Sequence, residues 1–169
     1  MNKFEEEFEI REILPGEYTE AARIEQVCFP DGDAVPKDAM IDKAEAAPEL
    51  FLVAADKERG CLAGFLNGLA TDEAHLRDEF YTDASLHDPD GKNVVLLGLD
   101  VLPQYRGRHI ATELMRTYAR RERARGRKAL ILTCTEEKVP MYERMGFEDS
   151  GPSRSTWGGG AYREMTLRL

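Results

Sequence analysis

Residues 103–111, PQYRGRHIA, place a proline, a glycine, two arginines and a histidine between an apolar segment and an amphipathic one. The apolar run VVLLGLDVL ends at Leu102 and predicts a strand, and a helical pattern begins near Ile110. A helix that starts here leaves its first backbone N–H groups without intrahelical partners. Those groups, at the positive end of the helix dipole, form a binding site for phosphate oxygens.

The side chains of this junction fit a pyrophosphate group. Gly107 has no Cβ, so the backbone can approach a ligand, and Ala111 leaves room beside the start of the helix. Arg106 and Arg108 supply positive charge of the kind that phosphate attracts. A plain strand-to-helix connection with solvated arginines is the alternative interpretation. The segment lacks both GxGxxG and GK[ST], which argues against a dinucleotide-binding fold and a P-loop ATPase.

The composition describes one acidic globular domain. The 169 residues are 42% hydrophobic and 33% charged, which favours a single domain over residues 1–169. Lys and Arg number 23 against 32 Asp and Glu, for a net charge of −9. This balance argues against a nucleic-acid partner, because such binding depends on phosphate neutralisation by Lys and Arg. It suits a cationic small molecule, although surplus acid is more often a solubility device.

The sequence predicts a cytoplasmic protein without a metal site. Cys28, Cys61 and Cys134 are far apart and form no CxxC pair, so we expect reduced and mostly buried thiols. The acidic N-terminal segment has no apolar signal core, and no run approaches the ~18 apolar residues that a membrane span needs. The three histidines share no metal-ligand spacing, and none is taken as a metal ligand.

Hydrophobic patterns predict a mixed α/β sheet in which the two strands flanking the main helix are central. Strands are predicted at 8–14, 49–56, 61–71, 93–102, 128–135, 147–151 and 161–169, and helices at 19–29, 37–48, 110–124 and 139–146. The second and third strands are expected to form a hairpin. Residues 71–92 are polar, acidic and end in DPDG, which predicts a long loop of the kind that often has a function.

With these features the chain resembles the Gcn5-related N-acetyltransferase superfamily, abbreviated GNAT. The family's acetyl-CoA signature, [Q/R]xxGx[G/A], falls on Arg106, His109 and Ala111, with His109 in place of the usual glycine. A second hallmark, a Tyr followed by a GF pair, appears as YERMGF, from Tyr142 to Phe147. The resemblance implies a GNAT-type α/β fold: a mixed, mostly antiparallel twisted sheet flanked by helices, with splayed central strands.

Within the superfamily, residues 20–169 are most similar to the arylalkylamine, or serotonin, N-acetyltransferase branch. The similar segments are IEQVCFP, APELFLVA, LAGFLNGLATDE, ASLHDPDG and CTEEKVPMYERMGF. The resemblance implies acetyl transfer from acetyl-CoA to the primary amine of a small molecule, by direct attack and without a metal. It leaves open whether the protein is a monomer or a homodimer.

The resemblance also implies the site residues. Tyr142 takes the position of the general acid that protonates the leaving thiolate. The pantetheine arm is expected on the backbone of Leu99, Asp100 and Val101. The signature Arg106 lies beside the pyrophosphate, which is expected on the amides of Gly107, Arg108, His109, Ile110, Ala111 and Thr112.

One departure leaves the general base unassigned. Animal arylalkylamine enzymes carry two histidines on the central strand, and the corresponding residues here are Val95 and Leu97. Asp100, His87 and a water chain are the alternatives, although strand alternation directs Asp100 away from the face of Val95 and Leu97. The missing histidines also motivate a non-catalytic acyl-CoA sensor as a second function class. Within the enzyme class, a peptide or protein N-terminus is the rival acceptor.

The acidic loop offers one further expectation. Asp72, Glu73, Asp78 and Glu79 could form a rim that attracts amines to the acceptor pocket, or only a solvated face. Trp157, followed by three glycines, is expected in a hairpin tip near the substrate mouth or in an ordinary turn.

Overall fold

All 169 residues are described by a computed structural model, which contains one seven-stranded sheet flanked by helices. The strand order is β1-β2-β3-β4-β5-β7-β6, and every neighbouring pair is antiparallel except β4 and β5. The strands are β1 (Phe8–Glu12), β2 (Phe51–Asp56), β3 (Leu62–Thr71), β4 (Asn93–Val101), β5 (Ala129–Cys134), β6 (Glu148–Pro152) and β7 (Arg163–Arg168). The predicted fold class is confirmed.

Six α-helices connect and cover these strands. They are α1 (Lys3–Glu7), α2 (Tyr18–Cys28), α3 (Lys37–Ala46), α4 (Glu79–Thr82), α5 (Ile110–Ala124) and α6 (Val139–Arg144). Helix α5 has the predicted bounds, since an amphipathic pattern begins at Ile110 and Gly126, with φ 86°, follows its end. None of the helices combines the length and apolar character that crossing a membrane requires.

The sheet is central because its middle strands are apolar on both faces. Every residue of β3 is buried, as are the first five residues of β4. Helix α5 packs on one face, where the space beside Gly68 is filled by the Tyr118 hydroxyl. Successive strand residues face opposite sides, so Asn67 faces the other layer, which is formed by α2 and α3.

The two parallel strands separate halfway along their length. Strand β4 pairs with β5 only from Asn93 to Val95, opposite Ala129 to Ile131, although β4 continues to Val101 and β5 to Cys134. Beyond Val95 the edge of β4 that faces β5 therefore has no strand partner. This is the splayed geometry that the resemblance implies.

A β-bulge in β4 corrects the predicted direction of Asp100. Asn67 pairs with Gly98 and Gly68 pairs with Leu96, which leaves Leu97 as an extra residue. An extra residue breaks the two-residue alternation of a strand. Asp100 consequently shares a face with Val95, whereas simple alternation places them on opposite faces.

The segment 71–92 is more structured than the predicted loop. It contains α4 and a 3₁₀ turn from Ala84 to Leu86, where the Asp83 side chain accepts from the Ser85 amide. Helix α1 was not predicted, and it begins at a capping box in which the side chains of Asn2 and Glu5 each accept from the other's backbone amide.

Candidate active site

The turn from β4 into α5 leaves six consecutive backbone N–H groups, from Gly107 to Thr112, without an acceptor in the protein. None of them donates to another group of the protein, and the first bond at this end of α5 runs from the Glu113 amide to the His109 carbonyl at 3.0 Å. Gly107 has φ 79°, and no atom lies within 4 Å of the place where a Cβ would stand. The turn is therefore open to a ligand and presents hydrogen-bond donors to it.

His109 is the N-cap of α5 and has a left-handed backbone, with φ 66° and ψ 15°. It is the one non-glycine residue of the chain with positive φ. Its side chain is exposed and forms no hydrogen bond with the protein. The family signature places glycine at this position, and the conformation explains that preference because a Cβ is strained there.

The two arginines of the turn have different partners. Arg106 Nε donates to the Val101 carbonyl at 3.2 Å, at the end of β4. The Arg108 guanidinium donates to a Glu7 carboxylate oxygen at 2.8 Å and lies 4.8 Å from the ring centroid of Phe8. In the structure the charge of Arg108, which we expected to face a phosphate, is paired with α1 and β1.

Where β4 and β5 separate, a cleft of about 200 Å³ crosses the sheet. Its walls are residues 96–99 of β4 and residues 132–135 at the end of β5. Met115 of α5 lines it on one face of the sheet and Glu25 of α2 on the other. The cleft reaches the α5 side through Met115, whereas Ala111 and Thr112 at the start of α5 line a separate pocket that also includes Met115.

Aromatic side chains line the mouth of the cleft on the α2 side. They are Phe29, Tyr81, Trp157 and Tyr162. The rings of Trp157 and Tyr81 lie 4.9 Å apart, and Trp157 Nε1 donates to the Asp33 carbonyl at 2.7 Å. Trp157, which we expected in a hairpin tip near the substrate mouth or in an ordinary turn, lies between β6 and β7 and lines the cleft.

The acidic residues of the segment 71–92 do not line the cleft. Glu73 forms two hydrogen bonds with Arg77, at 2.7 and 2.8 Å, and Asp72 accepts from the Lys92 amide at 2.9 Å. Asp78 accepts from the Ser155 hydroxyl at 2.5 Å and so attaches this segment to the loop that carries Trp157. The expected acidic rim is a set of structural contacts.

Tyr142 lies on α6 near Cys134 at the end of β5, but it is not among the residues that line the cleft. It is buried, and its ring meets that of Phe147 edge-on with centroids 5.7 Å apart. Burial raises the pKa of the phenol, and the nearby acids Cys134 and Asp100 raise it further. The phenol is therefore protonated at neutral pH, as a proton donor must be.

Cys134, the last residue of β5, lines the cleft with a protonated thiol. Burial raises its pKa to about 11, and the opposing effect of the Lys138 charge is smaller. A thiolate is the nucleophilic form of cysteine, and it is scarce at neutral pH when the pKa is this high.

Sequence reasoning missed most of a buried polar cluster, consisting of Glu25, Lys43, Asn67 and Asp100. Their exposed fractions are 4%, 2%, 1% and 1%. Both carboxylate oxygens of Asp100 and both polar side-chain atoms of Asn67 lack a hydrogen-bond partner. The signal was present in the sequence, since each residue interrupts an apolar helix face or an apolar strand.

The charges of the buried polar cluster influence one another. Burial raises the pKa of Asp100 well above its usual range, and the neighbouring Glu25 carboxyl raises it further. Burial lowers the pKa of Lys43 to about 8, against the opposing effects of Glu25 and Asp100. Glu25 Oε2 accepts from the Val35 amide at 2.9 Å, and Lys43 Nζ donates to the Tyr81 carbonyl at 3.1 Å.

His87, one of the residues considered as the base, lies outside the cleft. Its Nδ1 accepts from the Ala70 amide at 3.1 Å, and Nε2 lies 3.5 Å from a Glu49 carboxylate oxygen. These contacts give it a structural role beside β3. The structure contains no group of three or more His, Cys, Asp or Glu side chains that could hold a metal ion. That the reaction needs no metal stays a prediction.

Comparison with solved structures supports the same architecture. The GphF GNAT-like decarboxylase in complex with isobutyryl-CoA superposes with a TM-score of 0.78 at 17% identity, over 95% of this chain and 98% of that one. The NatC complex bound to Gag peptide and CoA gives 0.74 at 18%, over 96% and 99%. The ribosomal-protein-S18-alanine N-acetyltransferase from Escherichia coli gives 0.67 at 16%, over 96% and 94%. At these identities the likeness shows the fold alone.

Family membership rests on the sequence as well as on the fold. The Acetyltransferase (GNAT) family model matches residues 10–147, which include the last three residues of β1, strands β2 to β5, the turn before α5 and the helix that carries Tyr142. The chain therefore belongs to the GNAT acetyltransferase family.

Proposed function

We propose that this protein transfers the acetyl group of acetyl-CoA to the primary amine of a small cationic acceptor by direct attack. The observation that carries the proposal is the cleft between β4 and β5, which crosses the sheet. Through Met115 it approaches the start of α5, where the free amides lie, and its other opening is lined by aromatic rings. Two substrates that enter from opposite faces would meet where the strands separate.

The α5 side fits CoA. The six free amides from Gly107 to Thr112 and the positive end of the α5 dipole suit a diphosphate. The unpaired edge of β4 from Leu99 to Val101 offers backbone groups to the amides of the pantetheine arm. Arg106 donates to the Val101 carbonyl at the end of β4 and directly precedes the free amides in the chain, so it lies beside both groups of CoA contacts.

The opposite side fits an amine that carries a ring or an alkyl chain. Phe29, Tyr81, Trp157 and Tyr162 offer apolar faces, and Glu25 adds a carboxylate at the same opening. Aromatic rings favour flat or cationic ligands, and a carboxylate favours an ammonium group. This combination supports an arylalkylamine or a similar small amine as the acceptor.

The proposed reaction has two steps, attack on the thioester and departure of the thiol. The amine nitrogen attacks the thioester carbonyl, and backbone N–H groups on the unpaired edge of β4 stabilise the negative charge that develops on its oxygen. Tyr142 donates a hydrogen bond, and then its proton, to the sulfur as the C–S bond breaks. Cys134 remains a thiol and takes no acetyl group, so transfer is direct.

A turnover assay tests this function. Acetyl-CoA consumption is measured with aromatic amines, polyamines, aminoglycosides and peptides, and CoA binding is measured separately by calorimetry. We expect turnover with aromatic or alkyl primary amines. Turnover with peptides alone would make a peptide N-terminus the acceptor. Tight CoA binding without turnover of any acceptor would favour the sensor function.

A further inference from the structure

The buried polar cluster has hydrogen-bonding capacity that the protein does not use. Asp100 and Asn67 are each 1% exposed, and no group of the protein donates to the carboxyl of Asp100 or pairs with the side-chain amide of Asn67; the neighbouring Glu25 carboxyl bonds Asp100 only when one of the two is protonated. Buried polar groups are almost always hydrogen-bonded, because an unpaired one loses its interaction with water and gains nothing in return. A site with several such atoms is suited to a polar ligand.

Asn67 and Asp100 lie directly behind Gly98, which lines the cleft. A Cβ on Gly98 would stand 3.1 Å from Asn67 Oδ1, 3.2 Å from Phe65 Cε1 and 3.4 Å from Asp100 Oδ1, so these atoms pack closely against the glycine. Gly98 itself lines the cleft, and so does Glu25, whose carboxyl neighbours Asp100. At this point the cleft is therefore lined by Glu25 and Gly98, and the oxygens of Asp100 and Asn67 lie directly behind Gly98.

The charges around Asp100 define what these oxygens can bind. The ionisable groups that influence its pKa most are Glu25 on α2, Lys43 on α3 and Lys138 after β5. Asp100 also raises the pKa values of Cys28 and Tyr142, which are neutral acids in its surroundings. Lys43 Nζ donates to the Tyr81 carbonyl and forms no hydrogen bond with Asp100 or Asn67, so the oxygens of these two residues have no cationic donor.

We propose that Glu25 and Asp100 bind the ammonium group of the acceptor amine and remove its proton before attack, with Asn67 Oδ1 accepting another of its N–H groups. This inference rests on the proposed function and supplies the base that Val95 and Leu97 cannot. The β-bulge at Leu97 makes it possible, because it brings Asp100 to the face that Glu25 covers.

The groups named above account for every proton that moves in the reaction. An N–H bond of the ammonium breaks, an O–H bond forms on the carboxyl pair, and the nitrogen lone pair becomes free to attack the thioester carbon. As the C–S bond breaks, the sulfur receives a proton through Tyr142, and the attacking nitrogen loses its second proton and restores the Tyr142 phenol. The carboxyl pair then releases its proton to solvent, so each turnover yields an amide, a thiol and one proton.

The environment of Asp100 suits a proton acceptor. Burial and the adjacent Glu25 carboxyl raise its pKa, and a carboxylate of higher pKa is the stronger base. An exposed carboxylate, by contrast, has little tendency to take a proton from an alkylammonium ion.

Two acceptors of the same shape separate deprotonation from every other step. 2-Phenylethylamine is protonated at neutral pH, whereas O-benzylhydroxylamine, in which an oxygen replaces one methylene group, is mostly unprotonated. Wild-type protein, Asp100→Asn and Glu25→Gln are compared with each acceptor and acetyl-CoA at pH 7. Glu45→Gln, which changes an exposed carboxylate on α3, is the matched control, and thermal unfolding checks that each variant folds.

For 2-phenylethylamine we expect kcat/KM to fall at least ~100-fold in Asp100→Asn and Glu25→Gln, in line with general base catalysis. For O-benzylhydroxylamine it should stay within about threefold of wild type, because this acceptor needs no base before attack. The loss with 2-phenylethylamine should also shrink as the pH approaches the pKa of that amine. Glu45→Gln should match wild type with both acceptors.

Equal losses with both acceptors in folded variants would overturn the inference and make the carboxyls structural. Unchanged rates with 2-phenylethylamine would overturn it too. Turnover of neither acceptor by the wild-type protein would contradict the proposed function, and with it this inference. Turnover of O-benzylhydroxylamine alone by the wild-type protein would leave acetyl transfer intact and contradict only the proton-accepting pair.

Discussion

His109 has a positive φ, as does Gly107 two residues before it, with values of 66° and 79°. Only one of the two residues is suited to it. Gly107 has no Cβ, whereas the Cβ of His109 is crowded by its own backbone in this region. The turn that presents the free amides therefore retains strain at one position, and that position is the one where the family signature has glycine.

His109→Gly should stabilise the protein by about 1 kcal/mol, because it relieves this strain at an exposed site. The Kd for CoA should change less than about threefold, since the imidazole forms no contact in the turn and the backbone N–H is retained. Thermal unfolding and calorimetric titration with CoA measure the two effects. Gly107→Ala is the matched comparison and should destabilise, although nothing lies within 4 Å of its added Cβ. A large loss of CoA affinity in His109→Gly would show that the imidazole binds the ligand.

Local patterns were sufficient to predict the sheet and the helix that follows β4. The apolar run 93–102 and the amphipathic segment 110–124 each have one dominant period, and the structure has a strand and a helix there. Short elements were missed because they contain too few residues to show such a period. Helix α4 has four residues, which is too short for a helical period to be recognised.

The contacts that define the site could not be predicted because they join distant parts of the chain. Glu25, Lys43, Asn67 and Asp100 come from four elements, and only the packed fold brings them together. The orientation of Asp100 depends in addition on the β-bulge at Leu97, which has no sequence signal comparable to a glycine turn. The pairing of Arg108 with Glu7 likewise depends on how α1 packs.

Lys43→Met should remove the contribution of Lys43 to the pH dependence of the unfolding free energy. The pKa of this buried lysine is lowered to about 8 from its ordinary 10.5, so between these values the unfolded chain holds a proton that the folded chain has lost. The unfolding free energy of the wild type should therefore rise with pH from about 8 to 10.5 relative to Lys43→Met, by about 3 kcal/mol. Chemical denaturation across this pH range measures the difference. Lys37→Met, an exposed substitution on the same helix, should leave the wild-type profile unchanged, and parallel profiles for wild type and Lys43→Met would contradict the prediction.

Cys134→Ala should retain activity. The thiol lines the cleft, but its pKa of about 11 keeps it protonated at neutral pH and therefore a poor nucleophile. We expect kcat/KM to fall less than about threefold. Initial-rate patterns should show a sequential mechanism for the wild type, and intact-mass spectrometry should find no acetylated protein after incubation with acetyl-CoA alone. A ping-pong pattern lost in Cys134→Ala would replace direct transfer with an acetyl-cysteine intermediate.

Tyr142→Phe should lower kcat while leaving the fold and CoA binding intact. The substitution keeps the ring and its edge-on contact with Phe147 but removes the proton that we assign to the departing sulfur. General acid catalysis is worth ~100-fold to 10,000-fold, and we expect kcat to fall within that range. The KM for the amine should change little, because the lost interaction belongs to the transition state.

Tyr118→Phe is the matched control: Tyr118 is also a buried tyrosine, but its hydroxyl donates to the Leu50 carbonyl at 2.9 Å, so the substitution should cost stability and not kcat. Steady-state kinetics with an acceptor from the turnover assay, paired with calorimetric CoA titration, measures both effects. An unchanged kcat would exclude Tyr142 as the acid, and lost CoA binding would make its role structural.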